Sequence, residues 1–489
     1  MNPETPQQSK PDVRGVTTRW LLLGVCGAGM RAFAEILLDA GQNVTGTDID
    51  ERGMGSLHDH YGQRCQLLPW TEDLDLSSVL PANVVHSLAV SPMNPLLVRA
   101  REMGVAVRPL PEALGSFLQN ARQICVAGTH GKTTTSGMIW WVLQQAGLAP
   151  AGFVGGEICG SHQSSSFGAG RLAVLESCEY RQSFLQLNPQ SVLLTGIEPD
   201  HFDCFARDEA ADQTFETFLR RIPRDGSLVI NASSPRAQKA ALAAHCSVQT
   251  FGRTPDADWA ADPIFNGNPG QLLRCDNTPA QIFGVRHHGR GVAKVSLRIP
   301  GQHNLENALA AFAGLSAEGL PPDLIVQHLA TFPGMCRRFE YRGRWRGVDL
   351  IDDYAHHPSA IRATCDTARA VFPGRRIIGV FEPHQISRLE NLFTEFALAL
   401  SAFDECLILP VLPAREIATQ AECYRLSGDL VRRISEAGGR TFLVANLDQV
   451  PGKLDHSARP GDVVITMGAG RTYQIHDEIH RRLQRDSAA

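Results

Sequence analysis

The sequence predicts an α/β protein of three units, each a mainly parallel sheet flanked by helices. Short apolar strands alternate with helix-period segments along the whole chain, the pattern that builds parallel sheets. Most strands open on a glycine turn or a polar loop rich in His, Asp and Glu, where such sheets carry their sites. At 489 residues the chain also exceeds what one hydrophobic core sustains.

Bulk composition narrows the function classes. An apolar content of 43% with 20% charged residues describes a soluble globular chain. A formal net charge of -5 supplies none of the basic footprint that nucleic acid requires. No run approaches the roughly 18 apolar residues of a membrane span. Residues 1–15, "MNPETPQQSKPDVRG", read as a flexible tail with no signal-peptide core. The twelve cysteines include no C-x-x-C pair and lie scattered through apolar segments. They are expected as buried thiols in a reducing, cytoplasmic setting.

The first unit, 16–115, opens on "WLLLGVCGAGM", a strand meeting Gly24, Gly27 and Gly29, with a helix after it. A second strand, "QNVTGTD", ends at Asp48, about twenty residues on. Glycines that admit a phosphate and an acid placed for a ribose hydroxyl make a Rossmann-like arrangement, which alone suggests NAD. "NVVHSLAVSPMNP" adds a buried strand and a polar turn from Ser87 to Pro95.

The second unit, 116–333, begins with "VAGTHGKTTTSG". The chain has five lysines, and one of them, Lys132, stands in this turn. Gly128 and Gly131 let successive N–H groups point into one concavity, and a helix starting near Lys132 favours a phosphate there. Lys132 reaches the outer phosphates and Thr133 is placed for Mg²⁺. Val126 occupies the first glycine position of a strict P-loop, so a plain glycine turn with a surface lysine is the alternative. "GRLAVLESCEYRQSF" delivers Glu176 at a strand end, and "QSVLLTGIEPDHFDCF" delivers Glu198, Asp200, His201 and Asp203. Such strand ends handle metals and phosphates, although a strand-end glutamate can equally cap a helix. Residues 251–291, rich in Gly, Pro, Asp and Asn, are expected to form excursions between strands. "IPGQHNLENALAAFAGL" gives a turn and a helix carrying Asn304 and Asn307, which by themselves could simply cap it.

The third unit, 334–489, follows a hinge at "FPGM". "GVDLIDDYAHHPSAI" is a strand, an acidic pair, two histidines and a proline-started helix. "RRIIGVFEPHQISRLENLF" repeats the theme with His384 and Arg388. "DECLILPVLPARE" and "GDVVITMGAGRTYQI" complete the alternation.

In this order the motifs resemble the Mur ligases, ATP-dependent amide-forming enzymes of peptidoglycan precursor synthesis. "GTHGKTTT", "LESCEY", "EPDHFD", "GQHNLENALAA", "RRFE", "DDYAHHP", "EPHQISR" and "GAG" carry the resemblance nearly end to end. It implies a Rossmann-like first domain for the UDP-sugar, a central P-loop ATPase domain and a Rossmann-like C-terminal domain. Within the family the pattern is closest to the branch that joins L-alanine to the lactyl carboxylate of UDP-N-acetylmuramate. The branch that attaches a recycled tripeptide is the near competitor. ATP would phosphorylate the carboxylate, and the amine would attack the acyl phosphate. An NAD-dependent dehydrogenase leaves the Lys132 loop unexplained, and a non-catalytic nucleotide-binding regulator leaves the third unit's histidines and Arg388 unexplained.

Residue roles carried over from the resemblance are as follows. Gly128, Thr129, His130, Gly131, Lys132, Thr133 and Thr134 cradle the phosphates. Thr133, Glu176 and His201 match the magnesium positions, His201 acting directly, through water or on the substrate. Asn304 and Asn307 match the pair near the adenine nucleotide, and Arg338 and Asp353 the C-terminal contribution to ATP. Tyr354, His356, His384 and Arg388 lie where the amino acid binds, Arg388 being the natural partner of its carboxylate. Gly27, Gly29, Asp48 and Ser87 would serve UDP. The protein is expected as a monomer or homodimer. Two departures stand out: Gln385 replaces an arginine common in the family, and no lysine between 133 and 238 can be carbamylated to hold a second magnesium.

Overall fold

The computed structural model describes residues 17–49, 62–161, 163–205, 208–266 and 280–488. The expected tail, 1–15, lies outside them. The chain forms three sheets, in keeping with the predicted α/β class.

The first is a five-stranded parallel sheet, ordered Cys65–Pro69, Asn43–Asp48, Arg19–Leu23, Asn83–His86, Ala106–Pro109. Leu21, Leu22 and Leu23 are fully buried because helices cover both faces, which is why the strand reads as an unbroken apolar run. The second sheet places the phosphate-loop strand, Arg122–Ala127, between Pro189–Leu194 and Leu172–Glu176, all parallel. Helix Lys132–Gln145 packs on helix Gln302–Ala317, whose small residues Ala308, Ala310, Ala311 and Ala313 permit a close approach.

The expectation of irregular excursions over 251–291 is corrected by the structure. Its described parts form Trp259–Asn266, which pairs parallel with Ser247–Gly252, and Gln281–His287, which with Arg290–Leu297 extends the sheet antiparallel. Phe283, Val285, Val295 and Leu297 alternate with more exposed neighbours and bury one face against the second core, so period-two patterning outweighed the turn-forming composition. Residues 267–279 lie outside the described set.

The third sheet runs Glu340–Trp345, Val348–Asp353, Val463–Met467, Ile377–Phe381, Glu405–Ile408, Thr441–Leu443, with only the first strand antiparallel. The two seams between units differ in kind. One apolar cluster runs without a break from Phe33, Leu114 and Leu118 to Phe167, Phe184 and Phe218, joining the first unit to the second. Buried Glu35 reinforces it, accepting from Ser164 and Ser165 hydroxyls at 2.9 and 2.7 Å. Met335, at the start of the third unit, packs into the second unit's core; beyond it the third unit has its own apolar clusters and meets the second through polar groups such as Glu198–Ser359 and Asp200–Arg388.

Candidate active site

Strand ends converge on the loop after Ala127. Gly128 (φ 127°) and Gly131 (φ 78°) adopt left-handed backbone that only glycine takes without strain. Gly131 is also confined: a Cβ there would lie 2.3 Å from Asn307 Oδ1. Asn307 in turn donates to Asn304 Oδ1 at 3.3 Å, so both asparagines are buried beside the loop. The Thr129 hydroxyl accepts from Glu198 N at 2.9 Å, and the His130 ring lies 4.8 Å from the His357 ring of the third unit. Thr134 is buried in the first turn of helix Lys132–Gln145, whose unpaired N–H groups make an anion site.

Lys132 bends back over the loop, donating to Gly128 O and to Glu179 Oε2, the latter at 3.0 Å. Its side chain is 12% exposed and that of Glu179 only 4%. Burial opposes the ammonium charge, but the carboxylates of Glu179 and Glu176 and the Cys178 thiol outweigh it and raise the pKa. Lys132 is therefore charged, and a phosphate must share it with, or take it from, Glu179.

The magnesium positions come together in part. The Thr133 hydroxyl donates to Glu176 Oε1 at 3.0 Å and accepts from Arg338 Nη2 at 3.0 Å, while Gly155 N donates to Glu176 Oε2 at 2.6 Å. Paired hard oxygens suit Mg²⁺. His201 groups instead with Cys178 and Glu179, its Nε2 3.7 Å from Glu179 Oε1. Its Nδ1 is buried with no hydrogen-bond partner among the described residues, and its backbone is left-handed at φ 55°. That orphaned nitrogen fits a group reached through water or substrate.

Across the seam, strand Val348–Asp353 delivers Asp353, whose buried carboxyl caps Phe339 N and Ala355 N at 2.9 and 2.8 Å. Burial pushes it up to about 6 against the pull of Arg338. Arg338 stacks over Tyr354 at 4.7 Å. Tyr354, His356 and His384 follow one another, with ring centroids 5.2 and 6.2 Å apart. Burial first, and Arg388 second, hold His356 well below the ordinary histidine range and His384 down to about 4, so both rings are neutral. Arg388 is 2% exposed and grips Asp200 of the second unit, Nε and Nη2 each 2.8 Å from Oδ1. Burial would raise the Asp200 pKa, but Arg388 overcomes it and holds the carboxyl well below the usual range. Gln385 takes a left-handed φ of 69° and turns inward, 3% exposed.

At the first sheet, Gly27 begins helix Ala28–Asp39, and Gly29 lets it lie against Leu110. Asp48 Oδ2 accepts from Cys26 N at 2.8 Å and so braces the glycine turn. Ser87 N donates to Leu23 O at 2.9 Å, which closes the same rim. Arg181 Nη1 reaches Leu88 O at 2.8 Å and ties this rim to the second unit.

Sequence reasoning gave no roles to Glu179, His357, Ser359 or Arg415. Glu179 stood inside a quoted motif, but its pairing with Lys132 had no local signal.

Three family descriptions match in sequence order: "Mur ligase family, catalytic domain" over 22–122, "Mur ligase middle domain" over 126–315 and "Mur ligase, glutamate ligase domain" over 337–470. The UDP-N-acetylmuramate–L-alanine ligase of Burkholderia ambifaria is 35% identical, the match covering 94% of this chain and 97% of that protein. The like-named protein of Solidesulfovibrio magneticus is 34% identical over 93% and 96%. In fold, the chain resembles the UDP-N-acetylmuramate-alanine ligase of Thermotoga maritima (TM-score 0.79, 24% identity, 96% and 100% covered). It also resembles a murein peptide ligase of Psychrobacter arcticus (TM-score 0.70, 23% identity, 95% and 98% covered). With relatives this similar over nearly its whole length, the chain belongs to the Mur ligase family.

Proposed function

We propose that this protein joins L-alanine to the lactyl carboxylate of UDP-N-acetylmuramate, using ATP, as a step of peptidoglycan precursor synthesis in the cytoplasm. The observation that carries this reading is the meeting of two chemistries at one seam. A phosphate cradle with a charged lysine lies on one side, and a wall of Tyr354, His356, His384 and Arg388 lies on the other. The first unit, 16–115, would hold the UDP-sugar with Gly27, Gly29, Asp48 and Ser87. The second, 116–333, would hold ATP, and the third, 334–489, would hold the amino acid and complete the nucleotide site with Arg338 and Asp353.

A carboxylate resists attack because it is anionic and its oxygen is a poor leaving group; phosphorylation removes both obstacles. Gly128–Thr134 hold the transferring phosphate by backbone N–H groups while Lys132 offsets charge that develops on it. Asn304 and Asn307 brace the loop. Thr133 and Glu176 would hold Mg²⁺ to neutralise the phosphate oxygens, and His201, beside Glu179, would act through water or on the substrate. Closure of the seam would exclude water from the acyl phosphate, and the amine would attack its carbonyl carbon from the third-unit side, expelling inorganic phosphate as the C–O bond breaks.

Mass spectrometry of a reaction holding UDP-N-acetylmuramate, ATP, Mg²⁺ and mixed amino acids tests the reading. The expected product carries one alanine, with phosphate released only when all substrates are present. A tripeptide adduct would favour the recycling branch.

Glu176→Gln is expected to raise the Mg²⁺ concentration for half-maximal rate by roughly tenfold or more, since a hard anionic ligand is lost. An unchanged Mg²⁺ titration would remove Glu176 from the metal site.

A further inference from the structure

We infer that Arg415 is the cation that receives the carboxylate of the incoming amino acid. This rests on the ligase reading above and extends it to a residue not so far given a role.

Arg388, the arginine expected there, is already committed. Nε and Nη2 both serve Asp200 at 2.8 Å, and Nη1 donates to His384 O at 3.0 Å. With 2% of its surface exposed, Arg388 can meet a ligand carboxylate only at the expense of Asp200. Displacing a buried partner is costly, because it leaves that charge uncompensated.

Arg415 is the opposite case. It is exposed, and among the described residues it has no ion pair and no hydrogen bond from its guanidinium. Its guanidinium carbon lies 4.2 Å from the ring centroid of Tyr180, across the seam. Tyr180 is fixed, 6% exposed, its hydroxyl donating to Asp203 Oδ2 at 3.1 Å. An aromatic face orients a guanidinium plane and leaves its N–H edge open to a planar, bidentate anion.

The backbone sets Arg415 at the acceptor wall. His384 and Leu412 form a parallel bridge, with Gln385 N donating to Leu412 O and Leu412 N to Pro383 O, each at 2.8 Å. One residue beyond Arg415, the Glu416 carboxylate accepts from Ser387 N at 3.2 Å. Arg415 is thus held between two anchors, both fastened to the segment carrying His384 and Arg388. Its charge reaches that segment, since Arg415 contributes, after burial and Arg388, to holding His384 at about 4.

The test compares L-alanine with L-alaninamide, which keeps the amine and lacks the carboxylate. Arg415→Gln should raise the alanine KM by about 10–100-fold, the worth of a charge-assisted pair. KM for ATP and for UDP-N-acetylmuramate should stay within about twofold, and kcat/KM for alaninamide should be nearly unchanged. Arg415→Lys should recover part of the alanine affinity. If Arg415 only seals the seam, alanine and alaninamide will suffer alike, and that result would overturn the inference. So would an unchanged alanine KM in Arg415→Gln. Failure of the wild-type protein to use alanine would instead remove the ligase reading, and this inference with it.

Discussion

Lys132→Ala should lose ligation by at least two orders of magnitude, about what a preorganised charge at a transferring group supplies. Its ammonium is buried over the loop and held by Gly128 O and Glu179. Arg338, a cation that also reaches this end of the helix, is engaged with the Thr133 hydroxyl at 3.0 Å and so does not stand ready to replace Lys132. The variant should also be less stable. Removing one member of a buried pair strands the other, here Glu179 with 4% exposure, at a cost of about 3–5 kcal/mol. Adding Glu179→Gln should return most of that stability and none of the activity. UDP-N-acetylmuramate binding, measured by calorimetry, should survive in both. A Lys132→Ala enzyme retaining more than about a tenth of wild-type turnover would contradict charge neutralisation as its role.

Arg388→Leu should be the most damaging change in the third unit. It would strand Asp200, whose side chain is 8% exposed, and the expected loss is again about 3–5 kcal/mol. Asp200→Leu combined with Arg388→Leu should be less destabilised than the sum of the single changes, a coupling readable in a double-mutant cycle. Zero coupling would mean that the pair does not hold the seam. Arg388→Lys keeps charge but loses the fork that spans Asp200 and His384. It should retain more stability, while the alanine KM rises indirectly, through loosening of the segment that carries His384 and anchors Arg415, and the ATP KM moves little. A change confined to the ATP KM would take Arg388 out of the acceptor site.

Much of this architecture was legible in the sequence because its signals are local. The strand into Gly128 and the helix from Lys132 follow from apolar runs and glycines within a few residues of one another. Asp48 was placed at a strand end by its distance from the glycine turn, but that its carboxylate braces Cys26 N could not be read from spacing. What stayed hidden depends on contacts between distant segments. Lys132 meets Glu179, 47 positions on, and Arg388 meets Asp200, 188 positions back. Neither pairing is marked by pattern or periodicity. Arg415 was invisible for a similar reason: "LPARE" reads as a polar turn until the bridge between His384 and Leu412 brings it alongside the histidines. The strands of 259–287 were misread because Gly, Pro and Asp report backbone freedom, whereas pairing is decided by which residues find a core.

The two seams also foretell how the molecule comes apart. An unbroken apolar core from Phe33 to Phe218 makes the first two units one cooperative block, so nicking the chain between 117 and 122 should leave them associated. The third unit has its own clusters and is fastened by Asp200–Arg388, Ser359–Glu198 and Arg338–Thr133. Calorimetry should therefore resolve two melting events. Added salt should draw the weaker polar fastening apart, while sulfate, which strengthens apolar burial, should favour the larger block.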